Sequence, residues 1–330
     1  MAEPASGWPA LPAAPPRLVD DNGEPAFGLY AGSVDDARFG LLRTPPSLID
    51  RRLVEKRWHY ALVITEEIML SFAIVDAGYL GSGICAVFDR GARRLLVDSN
   101  PVVPPLFADV NEEPADGHRS SIAGPMVRGR IERSGRRALL SADWANAKIE
   151  LALDMRKAPT PMTAIARAGE GGRFDFTQKT VLVPVEGEIV AGNARFGVQD
   201  AVAALDYTHG MLPRETAWRW ALGMAKEARV AFNFSEGFLQ GQGENVVWID
   251  GAPRAAGPVE FEAGGPEGPW KIHGDGVELT FQPEGARAQD IDLKLISSKY
   301  VQPYGVFSGR VLGVAVEGAP GVTEDHFARW

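Results

Sequence analysis

The chain has little cysteine and no long apolar segment. Its single cysteine, Cys85, excludes an internal disulfide and lies within the apolar run Ile84–Phe88, which predicts a buried core thiol. No stretch approaches the roughly 18 consecutive apolar residues that cross a bilayer, so we expect no integral membrane segment. Residues 1–16 are rich in alanine and proline but lack a basic start followed by an apolar stretch. We therefore expect no signal peptide and a cytoplasmic location.

Positive charge is scarce as well. Lysine and arginine number 34 against 43 aspartates and glutamates, which gives a formal net charge of -9. Such an acidic chain is poorly suited to a phosphate backbone, so nucleic acid is not expected as a partner. The hydrophobic fraction of 45% is ordinary for a globular protein, and 330 residues suffice for two domains. The oligomeric state is not indicated by the sequence.

The common cofactor and catalytic motifs are also missing. The glycines around residues 241–243 do not complete a dinucleotide fingerprint, and no Walker-type phosphate loop occurs, which argues against nucleotide binding. There is no GxSxG nucleophile elbow, no HExxH motif and no His/Cys pair at zinc-ligand spacing. We therefore predict neither a metal site nor a cofactor; the alternative is a metal held by His209 and scattered carboxylates.

What the chain does contain is a long series of short strand patterns separated by turn residues. Segment 148–155 alternates polar and apolar residues with period two, as a half-buried antiparallel strand does. Residues 59–65 and 68–75 flank Glu66 and Glu67, which predicts a hairpin. With 37 glycines and 24 prolines available for turns, this recurrence predicts an all-β sandwich or barrel.

Two segments have helical features. Pro46–Val54 carries a helix start signal, so a short helix is predicted there. Arg214–Ala228 has a helix-favouring composition, but Trp218 and Trp220 lie two residues apart, which suits one face of a strand better than one face of a helix. We predict a strand in this segment.

The Pro- and Gly-rich stretch 158–173 is the best candidate for a boundary between two halves. Residues 1–23 are rich in proline and small residues, which predicts an extended, partly disordered arm. The rest divides into 24–172 and 173–330, each near the length of a lipocalin barrel, although strands could be exchanged between the halves.

The densest group of chemically active side chains runs from Asp206 to Trp220. Asp206 and His209 precede Gly210 at a predicted strand end, where they could act as a general acid–base pair or orient a polar ligand group. The alternative is structural: Asp206 caps the turn, and His209 packs with its ring nitrogens hydrogen-bonded. Arg214 could clamp a carboxylate through its planar guanidinium, or simply neutralise Asp206.

Large apolar and amide side chains accompany that group. Trp218 and Trp220 point the same way off a strand, either as walls of a ligand cavity or as ordinary barrel core. Polar residues within 233–245 could fix the orientation of a ligand, or form loops for backbone reasons alone. The candidate ligand-binding residues are Tyr207, Arg214, Trp218, Trp220, Asn233, Glu236 and Asn245.

These stretches resemble the family catalogued as domain of unknown function 2804, which belongs to the lipocalin-like (calycin) group. The resemblance covers nearly everything after residue 24. The resemblance implies an all-β protein of two tandem lipocalin-like antiparallel β-barrels. The motifs that carry it are Lys56–Tyr60, Asp76–Tyr79, Thr177–Lys179, Asp206–Gly210, Arg214–Ala221, Glu244–Asn245, Trp248–Gly251, Gln302–Gly309 and Gly321–His326.

A more distant likeness bears on function. The stretch 187–210 is similar to a segment of carotenoid 1,2-hydratases and related two-barrel proteins, in which an aspartate near a strand end faces the cavity. Those relatives include hydratases, pericyclase-type enzymes and lipid carriers. The resemblance implies binding of a hydrophobic lipid- or terpenoid-like molecule in a barrel cavity. The alternative is a cofactor-independent hydratase, isomerase or lyase in which Asp206 and His209 serve as acid and base.

Overall fold

The computed structural model describes residues 8–144, 146–241, 243–292 and 296–330, which form two antiparallel β sheets. The first sheet contains fourteen strands in the described residues. Their bounds are β1 Gly28–Ala31, β2 Glu55–Ile64, β3 Ile68–Asp76, β4 Gly81–Asp89, β5 Arg94–Ser99, β6 Val102–Val103, β7 Ala108–Val110, β8 Arg119–Gly124, β9 Val127–Ser134, β10 Arg137–Trp144, β11 Ala147–Asp154, β12 Met162–Arg167, β13 Phe174–Ala191 and β14 Ala194–Met211.

The second sheet contains nine strands in the described part of the chain, in the order β18-β17-β16-β15-β23-β22-β21-β20-β19. Their bounds are β15 Glu215–Ala225, β16 Val230–Gly237, β17 Val246–Ile249, β18 Ala252–Ala255, β19 Val259–Glu262, β20 Trp270–Gly274, β21 Val277–Asp292, β22 Ser297–Val311 and β23 Val314–Arg329. The predicted strand after Arg214 is therefore confirmed as β15. The two sheets make up two tandem barrels, as the family resemblance implied.

Local sequence chemistry explains individual elements. At the β2–β3 hairpin, the Thr65 hydroxyl accepts hydrogen bonds from the backbone amides of Glu67 and Ile68, at 3.1 and 2.9 Å. The predicted short helix is confirmed as α1, Leu48–Leu53, and it begins with a capping box in which Ser47 and Asp50 bond each other's backbone amides. No helix in the described ranges is long and apolar enough to cross a membrane.

Three apolar clusters hold the molecule together. The first fills the interior of the first sheet, which curls until β7 packs against β3; it contains Phe72 and Trp144, and the predicted core thiol Cys85 is confirmed there. A second cluster fills the interior of the second sheet around Phe281 and Phe307. The third lies between the sheets and includes Tyr60. Both barrel interiors are thus occupied by side chains, and the junction between barrels has a core of its own.

The chain passes from the first sheet to the second between Met211 and Glu215, because β13 and β14 pair within the first sheet. The division into 24–172 and 173–330, with strands exchanged between the halves, stays a prediction. The described part of the arm, residues 8–23, is mostly exposed and is attached to the barrels by isolated β-bridges and by a few side chains. Leu18 is fully buried in the first barrel core, while the backbone carbonyl of Trp8 accepts a hydrogen bond from Arg254 on the second sheet.

Candidate functional site

A cavity of about 310 Å³ lies between the two sheets. Residues of both sheets line it, among them Tyr60 and Ala73 from the first and Trp220 and Tyr300 from the second. This cavity lies at the barrel junction and not inside a barrel, where the sequence had led us to expect one, because each interior is filled by its own core. Concave, largely apolar sites at such junctions are common places for small molecules to bind.

Two neighbouring long strands, β13 and β14, build the polar floor of this cavity. Side chains two residues apart on a strand share a face, so alternate residues of both strands point toward the second sheet. The register then sets these residues side by side in three rungs, which are Asp175 with Gly210, Thr177 with Thr208, and Lys179 with Asp206.

A buried ion cluster occupies the third rung. Lys179 Nζ lies 2.7 Å from Asp206 Oδ2 and 3.0 Å from Glu244 Oε2. Burial alone would lower the pKa of Lys179, but the two carboxylates outweigh it and raise that pKa above its usual 10.5. Burial raises the pKa of Glu244 above 4.5, against the opposing effect of the Lys179 ammonium. The cluster thus holds one cation among closely spaced carboxyl groups.

Asp175 is the unusual member of this floor. Its side chain is 3% exposed, and the Oδ1 atom has no hydrogen-bond partner among the described residues. Burial, together with the nearby carboxyls of Glu244 and Asp206, raises the pKa of Asp175 well above its usual 3.8. These surroundings favour the neutral, protonated acid. A buried carboxylic acid next to a cavity can donate a proton to what the cavity holds.

The opposite wall carries an imidazole. Glu324 and His326 lie two residues apart on β23, and both line the cavity. Glu324 Oε1 lies 3.3 Å from His326 Nδ1, while the other ring nitrogen, Nε2, lies 3.0 Å from the Ser298 hydroxyl oxygen. If Glu324 accepts the Nδ1 proton, Nε2 is unprotonated; it then accepts a hydrogen bond from the Ser298 hydroxyl and can act as a base.

Indole rings form much of the remaining surface. Trp58, Trp218, Trp220 and Trp330 line the cavity, which is half of the eight tryptophans in the chain. Lys179 Nζ lies 5.2 Å from the ring centroid of Trp220, so this ring already contacts a cation. At the C-terminus, the Trp330 indole N–H donates to the Thr216 hydroxyl at 2.9 Å. The last residue of the chain is therefore part of the cavity wall.

The structure brings together five of the residues expected from sequence at this cavity, which are Asp206, Trp218, Trp220, Glu236 and Asn245. Asn233 lies directly behind the wall. Its side chain accepts a hydrogen bond from the Trp220 indole at 2.7 Å and donates one to the Glu244 carbonyl at 2.9 Å. Asn233 therefore positions two lining residues without lining the cavity itself.

His209 and Tyr207 lie on the opposite face of β14 from Asp206. His209 is fully buried, hydrogen-bonded through Nε2 to Glu55 at 2.9 Å and stacked on Phe39 at 3.7 Å. Tyr207 donates to a backbone carbonyl at 2.7 Å and packs in the first barrel core. The expected pairing of Asp206 with His209 does not form, because residues three apart on a strand point to opposite sides.

Arg214 is exposed and is not among the residues that line the cavity. Its backbone carbonyl accepts a hydrogen bond from the Trp330 amide at 3.0 Å. Lys179 is a cation that contacts Asp206, and Arg214 does not line the cavity in which a carboxylate clamp was expected.

Four residues of the site were not predicted from the sequence, which are Asp175, Lys179, Glu324 and His326, whereas Glu244 was expected among the polar residues that could point into a cavity. Four residues of the site lie within motifs that carry the family resemblance, which are Lys179, Glu244, Glu324 and His326. Nothing in these motifs distinguished residues with a chemical role from residues that only stabilise the fold. The one usable signal was a lysine and an aspartate on one face of a strand that is otherwise mostly buried. Buried ionisable residues are rare without a partner or a function.

The fold and the site together define a protein of two tandem lipocalin-like barrels with a cavity between them that is lined by indoles and carboxyl groups. The chain belongs to the family described as Domain of unknown function (DUF2804), whose profile matches residues 12–330. No curated protein matches the chain.

Solved structures similar to this chain have low sequence identity to it. One is CghA, with a TM-score of 0.59 and 10% identity over 97% of this chain and 98% of the other. Another is kievitone hydratase from Nectria haematococca, with a TM-score of 0.51 and 11% identity over 97% of both chains. At such identities the likeness concerns the fold.

Proposed function

We propose that this protein adds water to, or eliminates water from, an apolar unsaturated small molecule held between its two barrels. The observation that carries the proposal is Asp175, a buried carboxyl group with an unpartnered oxygen at the floor of the cavity. Burial and the neighbouring carboxyl groups raise the pKa of Asp175 and so favour its protonated form, and a carboxylic acid is what protonation of a carbon–carbon double bond requires.

The lining and the size of the cavity suit a lipid- or terpenoid-like substrate. Aromatic and aliphatic side chains make up much of its surface, including four indoles and the residues Val75 and Ile84. Burial of an apolar body there contributes about 25 cal/mol per Å² of apolar surface. The few polar groups then fix the position of the reacting bond.

In the hydration direction, Asp175 gives its proton to one carbon of the double bond. The oxygen of a water molecule bonds to the other carbon, and His326 Nε2 accepts one of that water's protons. The second water proton stays on the new hydroxyl group, and exchange with solvent returns both side chains to their starting states. Dehydration is the same sequence reversed.

The remaining polar residues of the cavity position the two reacting side chains and set the charge around them. Asp206 keeps the ammonium group of Lys179 at the floor, and with Glu244 it surrounds Asp175 with negative charge. Glu324 orients His326 through Nδ1. The fold neighbour that carries the name kievitone hydratase adds support from architecture alone, because fold does not imply activity.

Storage or transport of an apolar molecule is the second candidate function. It is favoured by the largely apolar lining, since binding alone needs no acid or base. A carrier would release the same molecule that it took up. The two candidates therefore differ in whether water enters or leaves the ligand.

The test starts with organic extraction of freshly purified protein and mass spectrometry of the extract. Compounds found there, and a panel of terpenoid alkenes and alcohols, are then incubated with the protein in heavy-oxygen water. We expect either label in an alcohol formed from an alkene, or an alkene that has lost one water from an alcohol, and a rate at least about a hundredfold lower in Asp175→Asn and His326→Gln. Asp143→Asn and His273→Gln, in which the changed residues lie outside the cavity, serve as controls. A bound compound recovered from wild-type protein with neither label nor loss of water favours the carrier.

A further inference from the structure

We infer that the cavity is selective for a cation: its ligand has an apolar body and a positive charge that it either carries or acquires during reaction. This inference deepens the proposed function and rests on the same cavity being the binding site. Three features support it: the balance of charges, the aromatic surface and the unpartnered oxygen of Asp175.

Acidic groups outnumber basic ones in the lining. Among the described residues, five carboxyl side chains line the cavity, which are Asp175, Asp206, Glu236, Glu244 and Glu324. The basic side chains in the same set are Lys179 and His326. Lys179 is already held between two carboxylates, so it does not offer a free positive charge to an anionic ligand.

Glu324 shows how negative charge is presented to the cavity. Its carboxylate accepts hydrogen bonds from the Trp218 indole at 3.0 Å and from the Gln302 amide at 2.8 Å. Both donors are uncharged, so they orient and stabilise the carboxylate without cancelling its charge. A cation between the walls would be attracted to it, and attraction is strong where water is largely excluded.

The aromatic surface favours the same charge. The π-face of an indole is electron-rich, and cages of aromatic rings bind quaternary ammonium groups. Here four tryptophans line one cavity, and two of them already lie near ammonium groups. Lys179 Nζ is 5.2 Å from the Trp220 ring, and Lys56 Nζ is 5.9 Å from the Trp330 ring.

Asp175 provides the independent observation that points to a ligand. It is only 3% exposed, it lines the cavity, and its Oδ1 lacks a partner among the described residues. A cation in the cavity would supply the missing interaction once the proton leaves. When Asp175 protonates a double bond, it becomes a carboxylate beside the carbocation that it has formed. The same negative charge and aromatic surface would therefore stabilise either a permanent ammonium group or a transient carbocation.

Binding of matched probes tests the inference without knowledge of the substrate. The probes are benzyltrimethylammonium, its uncharged isostere neopentylbenzene, and phenylacetate, with affinities measured by quenching of tryptophan fluorescence and by calorimetry. We expect the ammonium probe to bind at least about tenfold more tightly than the uncharged isostere, and phenylacetate to bind weakest. The preference should shrink in Glu324→Gln and in Trp58→Leu.

Glu262→Gln is the matched control, because Glu262 is exposed on the outside of the second sheet and paired with Lys271. Equal or tighter binding of the uncharged isostere, a preference for phenylacetate, or no binding of any probe would each overturn the inference. If the ammonium probe inhibits the labelled-water reaction competitively, the cation is the transient one. If it binds but no compound turns over, the proposed reaction fails while the cation-selective site stands, and an amine in the extract identifies the resident ligand.

Discussion

Lys179 and Glu244 form an ion pair that joins the two barrels, with 3.0 Å between Nζ and Oε2. Lys179 lies on β13 of the first sheet, whereas Glu244 lies shortly before β17 of the second. Both are at least nine-tenths buried, and Asp206 shares the same ammonium group. The ion cluster therefore belongs both to the floor of the cavity and to the contact between barrels, so a change to it affects stability and the site together.

Lys179→Met should be strongly destabilising. It removes the cation and leaves the carboxyls of Asp206 and Glu244 buried without compensation, a change that typically costs about 3–5 kcal/mol of unfolding free energy. The loss should be measured by urea denaturation at neutral pH. Adding Glu244→Gln to the variant should recover part of it, because one uncompensated carboxylate is removed.

Lys148→Met is the control for this measurement. Lys148 pairs with Glu150 on the outer surface, and both side chains are mostly exposed. Surface pairs of this kind contribute about 0–1 kcal/mol. If Lys179→Met were as mild as Lys148→Met, the cluster would not hold the barrels together.

Asp175→Asn should make the stability of the protein fall less as pH rises from acid toward neutral. Burial raises the pKa of Asp175 above its usual 3.8, so between 3.8 and the raised value the folded state binds more protons than the unfolded state. Stability then falls as pH rises through that window, and asparagine removes this slope. We expect the variant to gain relative to wild type as pH increases, in denaturation curves measured from pH 4 to pH 8.

Infrared spectroscopy checks the protonation state of Asp175 without unfolding. At neutral pH the wild type should show a carbonyl stretch of a protonated carboxyl group that is missing in Asp175→Asn. Asp143→Asn should leave that band in place. A wild-type spectrum without a band sensitive to Asp175 would contradict the assignment of this residue as the proton donor.

Gly210 leaves the space that the Asp175 carboxyl group occupies. A Cβ atom on Gly210 would overlap Asp175 Oδ1 and the side chain of Leu212. Gly210→Ala should therefore lower the unfolding free energy by about 1–3 kcal/mol and displace the Asp175 carbonyl band. Gly197 lies on the same strand, and nothing lies within 4 Å of a Cβ placed there, so Gly197→Ala should change neither property. Identical behaviour of the two variants would count against this packing.

Period-two patterns and turn residues made most of the fold predictable. They identified the hairpin at Glu66 and Glu67 and the strand that carries Trp218 and Trp220, because these depend on residues close together in sequence. The position at which the chain changes sheets was not predictable from the sequence, for a physical reason. The Pro- and Gly-rich stretch 158–173 contains β12, and β13 after it pairs with strands of the first sheet; such long-range pairing is not encoded locally.

The site was predicted only in part, for a related reason. Asp206 and Trp220 were selected because they lie close together in the chain, and both do line the cavity. Asp175 and Glu324 come from distant strands, and only the register of β13 with β14 and the contact between sheets bring them to the same cavity. The separation of His209 from Asp206 is different, because it follows from the alternation of faces along a single strand and is therefore readable from sequence alone.

His209 should matter for stability and not for the cavity. Its ring fills the space beside Phe39 and bonds the buried Glu55 carboxylate, so His209→Ala should reduce the unfolding free energy by about 3 kcal/mol.

The effect of His209→Ala should depend on pH. Burial lowers the pKa of His209 below 6.5. Burial alone would raise the pKa of Glu55, but hydrogen bonding to His209 and nearby positive charge bring that pKa below 4.5. Between the lowered pKa of each group and its usual value, the unfolded state binds more protons than the folded state. The stabilisation from His209 and Glu55 is therefore present at neutral pH and is lost as pH falls. The gap between wild type and variant should therefore be widest above pH 6.5 and narrow in acid. The affinity for benzyltrimethylammonium should stay unchanged, as in the control His273→Ala, whose residue is partly exposed and lies outside the cavity. A variant that lost this affinity while keeping its melting temperature would return His209 to the site.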